Sequence, residues 1–168
     1  MSASLKIAVA GLGTVGAGLL RLISEHSEDL SLRAGRRIEI TAISARNRKA
    51  DRGVDITPYA WHDDPISLAG DPDIDVVVEL IGGSDGIAKA LIEAAIQNGK
   101  HVVTANKALV AHHGTALAHG AEAAGVSFSY EAAVAGGDMN SASRLQDRLD
   151  NVGWSLGHRV DAVCERLK

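Results

Sequence analysis

An α/β fold built on a mostly parallel sheet is predicted for this 168-residue chain, on three observations. Short apolar runs alternate along the chain with longer segments of helical periodicity. The first apolar run leads directly into three glycines spaced G-x-G-x-x-G: Gly11, Gly13 and Gly16. The composition is 46% hydrophobic but only 3% aromatic, so Val, Ile, Leu and Ala must fill the core. Buried parallel strands and close helix packing use such residues.

Taken in order, Lys6–Ala10 reads as the first strand, and Val15 to about Leu32 as a helix with an apolar stripe at Val15, Leu19, Leu20 and Ile23. Ile38–Ala45 is the second strand, and residues 46–62 are polar and read as a long loop. Asp75–Leu80 is a buried strand that stops at Gly82-Gly83. Ile87–Gln97 is a helix with Asn98-Gly99 as its stop signal, and His101–Thr104 is the next strand. Lys107–Ala124 is an alanine-rich helix closed by Gly125, and Val126–Tyr130 is the last clear strand. Residues 138–168 are charged and only loosely periodic, so no domain is assigned to them. The organisation is therefore one domain over residues 1–137 and a divergent segment after it.

The glycine spacing has a mechanical meaning where a strand turns into a helix. Gly11 permits the tight turn, Gly13 lets the backbone approach a pyrophosphate, and Gly16 lets the helix pack close to the strand. The phosphates then meet the unpaired N–H groups of Thr14 and Val15 and the positive end of the helix. The alternative role for Thr14 is a helix cap. This context predicts a Rossmann-like, doubly wound sheet with ligand groups at the carboxyl ends of its strands.

At the end of the second strand an NAD enzyme places an acid on the ribose 2′-hydroxyl. Here the chain reads Ser44-Ala45-Arg46-Asn47-Arg48-Lys49, with three cations and no acid. A guanidinium pairs bidentately with phosphate, which favours NADP, with Arg46 nearest the strand end. NAD stays possible. Gly82 allows close approach of a ligand to the backbone, and Ser84 either caps the next helix or touches the nicotinamide ribose. Asn106 reads as a helix cap. Lys107 opens a helix, where a cation is unfavourable, at a strand's carboxyl end, so it reads either as a lysine near the nicotinamide or as a surface lysine. His112 and His113 are adjacent on a helix, cannot share a face, and read as surface residues.

Other classes are disfavoured. The formal charge of −4 argues against nucleic acid. No apolar run approaches the roughly 20 residues of a membrane span, and the N-terminus has no signal-peptide pattern. The single cysteine, Cys164, excludes an internal disulfide, and the cytoplasm is the simplest compartment.

Four segments carry a resemblance to a known family: Ile7–Gly16, Val76–Gly83, Gly99–Leu109 and Phe128–Gly137. The Gly-Lys-His-Val-Val-Thr-Ala-Asn-Lys run and the Glu131–Gly137 run are the specific ones. The chain resembles homoserine dehydrogenase, the NAD(P)-dependent oxidoreductase that interconverts homoserine and aspartate 4-semialdehyde in threonine and methionine biosynthesis. The resemblance implies that Gly13, Thr14 and Val15 hold the pyrophosphate and that Arg46 holds the 2′-phosphate. It also implies that Lys107 reaches the cofactor and active site. Glu131, Val134 and Gly136 match a monovalent-cation site, commonly sodium, and the family is homodimeric. After Gly137 the chain reads Asp138-Met139-Asn140, and no match to the family's substrate-domain Asp and Lys is seen in residues 138–168. The expectation is a cofactor half of the enzyme, from a truncated or frameshifted gene, that binds NADP but does not turn homoserine over alone. A non-catalytic NADP-sensing module and a related semialdehyde or amino-acid dehydrogenase are the alternatives.

Overall fold

The computed structural model describes residues 4–130. The expected boundary at Gly137 and the segment 138–168 lie outside the described residues. The chain runs β1 (Leu5–Ala10), α1 (Thr14–Glu25), α2 (Ser27–Ala34), β2 (Ile38–Ser44), β3 (Ala60–His62), α3 (Ser67–Gly70), β4 (Val76–Glu79), α4 (Ile87–Gln97), β5 (His101–Thr104), α5 (Lys107–Ala124) and β6 (Phe128–Tyr130).

The six strands lie in the order β3-β2-β1-β4-β5-β6. Every pairing is parallel, including Glu79 opposite Thr104 across β4 and β5. Chain order thus reverses direction between β1 and β4, which makes this pair the topological switch point. Both faces of the sheet are covered. Ile7, Val9, Ile43, Val76 and Val78 pack with Leu19, Leu20 and Ile23 of α1. Ala8, Ala10, Val77 and Val102 pack with Leu68, Leu91, Ile92 and Leu109 of α3, α4 and α5. Successive side chains of β4 alternate between these two cores, which is why the run is uninterrupted Val-Val-Val. Each fully buried Leu or Ile contributes about 1.5–3 kcal/mol by leaving water.

Three departures from the sequence reading have local causes. The single helix expected over Val15 to Leu32 is two, broken at His26 (φ −116°, ψ 23°). The buried stripe of α1 ends at Ile23, and Glu28 and Asp29 favour a fresh helix start, where acids meet the positive end of the dipole. The loop expected over residues 46–62 ends in β3, which pairs with Ala42–Ser44 of β2. Three residues of an edge strand are too few to show alternation. The short helix α3 buries only Leu68 and Ala69 and gave no periodic signal.

At the amino end of the sheet, half-buried His101 accepts the Ser127 N–H at Nδ1 (2.9 Å). Burial pushes its pKa below the ordinary imidazole value, and Arg36 adds to that against an opposing pull from Asp75. Among the described residues no helix is long and apolar enough to cross a membrane.

Candidate functional site

The glycine turn sits at the switch point, between the carboxyl ends of β2 and β4. Gly11 has φ +100°, and its N–H donates to the Ser44 carbonyl (2.8 Å). A Cβ on Gly11 would collide with the Leu80 carbonyl, and one on Gly16 with the carbonyl of Gly11. These two glycines are therefore demanded by the fold itself. Gly13 differs. Its backbone is ordinary (φ −73°), it is exposed, and a Cβ there would meet nothing within 4 Å. The open space above Gly13 is the cradle that a phosphate group would need.

Gly13 is also the N-cap of α1, with no side-chain cap bond, so Thr14 does not cap the helix. The first i to i−4 bond of α1 is Ala17 N–H to Gly13 O (2.9 Å). The N–H groups of Thr14 and Val15 thus have no acceptor inside the helix. No acid stands in the first turn to neutralise the dipole.

A cavity of about 400 Å³ opens beside this turn, walled by Gly11, Gly13, Arg46, Asn47, Ile81 and Ile87 among others. It brings the glycine turn and Arg46 together. A larger groove, about 510 Å³, lies between the flanks of α4 and α5, against Ile96, Leu117 and Gly120 rather than at the strand ends. Arg46 is exposed on the rim of the first cavity. Two residues beyond the sequence reading organise that rim. Arg52 donates from Nε to the Leu12 carbonyl (3.1 Å), from Nη1 to Ala50 O (2.8 Å) and from Nη2 to Asn47 O. Three of its five N–H donors go to backbone carbonyls, so it staples residues 47–52 to the glycine turn. The Trp61 ring carries the Arg48 and Arg52 guanidinium carbons 5.7 and 5.8 Å from its centroid. Among the described lining residues the acid is Asp63, which follows β3 rather than β2 and accepts the Trp61 indole N–H (2.8 Å).

The other side of the switch point carries no described ion pair at its centre but a buried polar circuit. Glu79 is wholly buried at the end of β4. Its Oε1 accepts the N–H groups of Ile81 (2.7 Å) and Gly82 (3.1 Å), and its Oε2 accepts the Thr104 hydroxyl (2.5 Å). Thr104 Oγ1 in turn accepts the Asn106 N–H (3.0 Å). Asn106 caps α5 as expected, accepting the Leu109 N–H at Oδ1 (3.1 Å), while its Nδ2 donates to the Gly83 carbonyl (2.6 Å). Gly82 and Gly83 are exposed, both at positive φ, and Lys107 is exposed on the first turn of α5.

Ser84 does not cap the following helix, because Gly86 holds the N-cap of α4. Its hydroxyl donates instead to Asp85 Oδ2 (2.9 Å). Asp85 Oδ1 lies 2.8 Å from His113 Nε2, and the bonds from His113 and then Ser84 hold the Asp85 carboxyl below the usual range. His113 is thus a half-buried partner of the β4–α4 loop rather than a plain surface residue; His112 is exposed. The described residues contain no group of three or more His, Cys, Asp or Glu able to hold a metal. The expected cation ligands Glu131, Val134 and Gly136 lie outside the described residues. Thr14, Val15, Gly16, Gly82, Ser84 and Lys107 do not wall the cavity that Arg46 and Gly13 share.

A family described as "Homoserine dehydrogenase, NAD binding domain" matches residues 11–131. A homoserine dehydrogenase of Pseudomonas aeruginosa is 49% identical over 155 residues, 90% of this chain and 35% of that protein. That alignment is longer than residues 1–137 and so reaches into the stretch after Gly137. The Neisseria gonorrhoeae homoserine dehydrogenase is 44% identical over 131 residues, 78% of this chain and 30% of that protein. Among solved structures, the homoserine dehydrogenase of Thiobacillus denitrificans superposes with a TM-score of 0.73 at 42% identity, covering 80% of this chain and 31% of that one. The Staphylococcus aureus enzyme at pH 7.0 gives 0.72 at 34% identity, over 79% of this chain and 33% of that one. The chain spans about a third of the length of the curated relatives it matches.

Proposed function

This chain belongs to the homoserine dehydrogenase family, of which it carries the NAD-binding domain, and we propose that it binds NADP in preference to NAD. The observation that carries the reading is the cation at the cavity rim: exposed Arg46 at the end of β2, beside a glycine turn whose cradle is open. The Thr14 and Val15 N–H groups would take the pyrophosphate, and Arg46 the 2′-phosphate, as a bidentate pair. In a doubly wound sheet the two mononucleotide halves lie on either side of the switch point. The adenosine end then lies over β1 to β3, and the nicotinamide end over β4 to β6, beside Gly82, Ser84 and Lys107.

When bound, the cofactor supplies the hydride chemistry; the protein supplies position and electrostatics. In the whole enzyme the substrate would be homoserine, as the relatives' names state for those proteins. A monovalent cation at Glu131, Val134 and Gly136 belongs to the same proposal, supported by the resemblance of that segment. Residues 1–168 by themselves are proposed to bind cofactor without turning homoserine over, in keeping with a span of about a third of the relatives.

Calorimetric titration with NADPH and NADH tests the reading. Arg46→Ala should weaken NADPH by about 1.5–3 kcal/mol, the worth of a hydrogen bond to a charged group, or roughly 10- to 150-fold. NADH binding should stay nearly unchanged. Equal losses for both cofactors would remove Arg46 from the 2′-phosphate.

A further inference from the structure

We propose that Glu79 is a positioning residue for the nicotinamide half of the cofactor, through the buried circuit that joins the ends of β4 and β5. The proposal rests on the cofactor reading above and deepens it. A wholly buried carboxylate is costly unless its lone pairs are used. Glu79 uses them on three donors, and two of these, the N–H groups of Ile81 and Gly82, belong to the loop that leaves the sheet. The third is the Thr104 hydroxyl, opposite Glu79 in the β4–β5 register.

The Thr104 hydroxyl donates to Glu79 Oε2. The remaining lone pairs of Thr104 Oγ1 then face the Asn106 N–H. Asn106 spends its oxygen on the cap of α5 and its Nδ2 on the Gly83 carbonyl, which closes the circuit on the loop where it began. One side chain therefore sets the spacing between Gly82–Gly83 and the helix start that carries Lys107. Those are the two walls assigned above to the nicotinamide. Gln at position 79 keeps the shape but brings an NH₂ into a place that needs an acceptor. Either the Thr104 hydroxyl proton or the two loop N–H groups lose their partner.

The test separates the two ends of the ligand. Wild type, Glu79→Gln, Thr104→Val and Thr104→Ser are titrated with NADPH and with 2′-phosphoadenosine 5′-diphosphate, which lacks the nicotinamide riboside. The reduced-nicotinamide fluorescence of bound NADPH is recorded alongside. In Glu79→Gln and Thr104→Val the fragment should bind within about twofold of wild type, while the advantage of NADPH over the fragment falls about tenfold, roughly one hydrogen bond's worth. The change in nicotinamide emission on binding should vanish with it. Thr104→Ser keeps the hydroxyl and should retain both signatures. Should Glu79→Gln fail to fold, Thr104→Val, close in shape to the parent, carries the same test. Equal weakening of fragment and NADPH, or no change in either, overturns the positioning role. Wild type that binds neither ligand overturns the cofactor reading itself, and the proposal with it.

Discussion

Two glycines three residues apart should respond to alanine in opposite ways. At Gly16 the added methyl collides with the Gly11 carbonyl inside a packed turn. Overpacking of this kind costs about 1–3 kcal/mol, which lowers Tm by roughly 4–10 °C in a domain of this size. At Gly13 the methyl enters open space with φ already at −73°. The lost N-cap preference of Gly and the reduced freedom of the unfolded chain are each about 0.5–1 kcal/mol and opposed, so the ligand-free Tm should move by no more than about 2 °C. On the proposed reading, the Gly13 methyl would occupy the approach of the pyrophosphate to the Thr14 and Val15 N–H groups. Loss of one charge-assisted hydrogen bond, about 2 kcal/mol, is roughly a 30-fold weaker Kd. At NADPH a hundredfold above the wild-type Kd, ligand stabilisation is about 2.7 kcal/mol. In Gly13→Ala the same concentration gives about 0.9 kcal/mol. Thermal melts of both variants, with and without NADPH, read all four quantities. A Gly13→Ala protein with the full wild-type ligand shift refutes the assignment of the turn to the pyrophosphate, and an unshifted ligand-free Tm in Gly16→Ala refutes the packing argument.

Two further outcomes follow from the same geometry. Arg52→Ala frees residues 47–52 from the Leu12 carbonyl and should weaken NADPH by about three- to tenfold through displaced Arg46, roughly one neutral hydrogen bond. In a double-mutant cycle with Arg46→Ala the two losses should couple by at least about 0.5 kcal/mol, and strict additivity would reject the staple. His101 is held below the ordinary imidazole pKa by burial, so the unfolded chain takes up a proton first as pH falls. Its contribution to stability is present above about pH 6.5 and is lost as pH drops through that value towards the folded pKa. Protonation of Nδ1 also ends its bond from the Ser127 N–H. Melting curves between pH 7.5 and 5 should show this slope in wild type and a flatter one in His101→Asn, whose Oδ1 keeps the acceptor; parallel slopes count against it.

Legibility in the sequence tracked how local the determining physics was. Helices α4 and α5 lie on the residues expected, because each carries its own end signals: Asn98-Gly99 for one, Asn106 and Gly125 for the other. The glycine turn was equally readable, since its spacing encodes contacts within six residues and with the ends of two neighbouring strands. The edge strand β3 was not, because its pairing partner Ala42–Ser44 supplies the order that its three residues lack. The break at His26 was hidden by a chain that stays helix-competent on both sides of it. Arg46 stood out by its place after β2, whereas Arg52 looked like one more cation in a polar loop until the fold brought Leu12 to it. Glu79 is the most instructive case. In sequence it interrupts an apolar run, and its meaning appears only when β4 and β5 pair and set it against Thr104. An acid inside a buried strand, three residues before a double glycine, was the available signal.

On the proposed reading, a dinucleotide laid across this cleft would meet three supports whose anchors differ. The turn is held by the sheet itself, through Gly11 N–H on Ser44 and the close approach to Leu80. The cation loop is held by Arg52 on backbone carbonyls, with its rim charges left in solvent. The glycine loop beyond β4 is held from beneath by Glu79, wholly out of solvent. These anchors differ in kind. The rim acts by exposed charge, which salt screens over about 8–10 Å at physiological strength, while the buried circuit is screened much less. The cation loop leans on the turn at the Leu12 carbonyl, whereas the Glu79 circuit shares no hydrogen bond with either. On the proposed reading that separation would let binding at the phosphate end and placement at the nicotinamide end be varied independently, and it follows from the topology. Strand order reverses at the β1–β4 pair, so the loops on each side are secured mainly by residues of their own half.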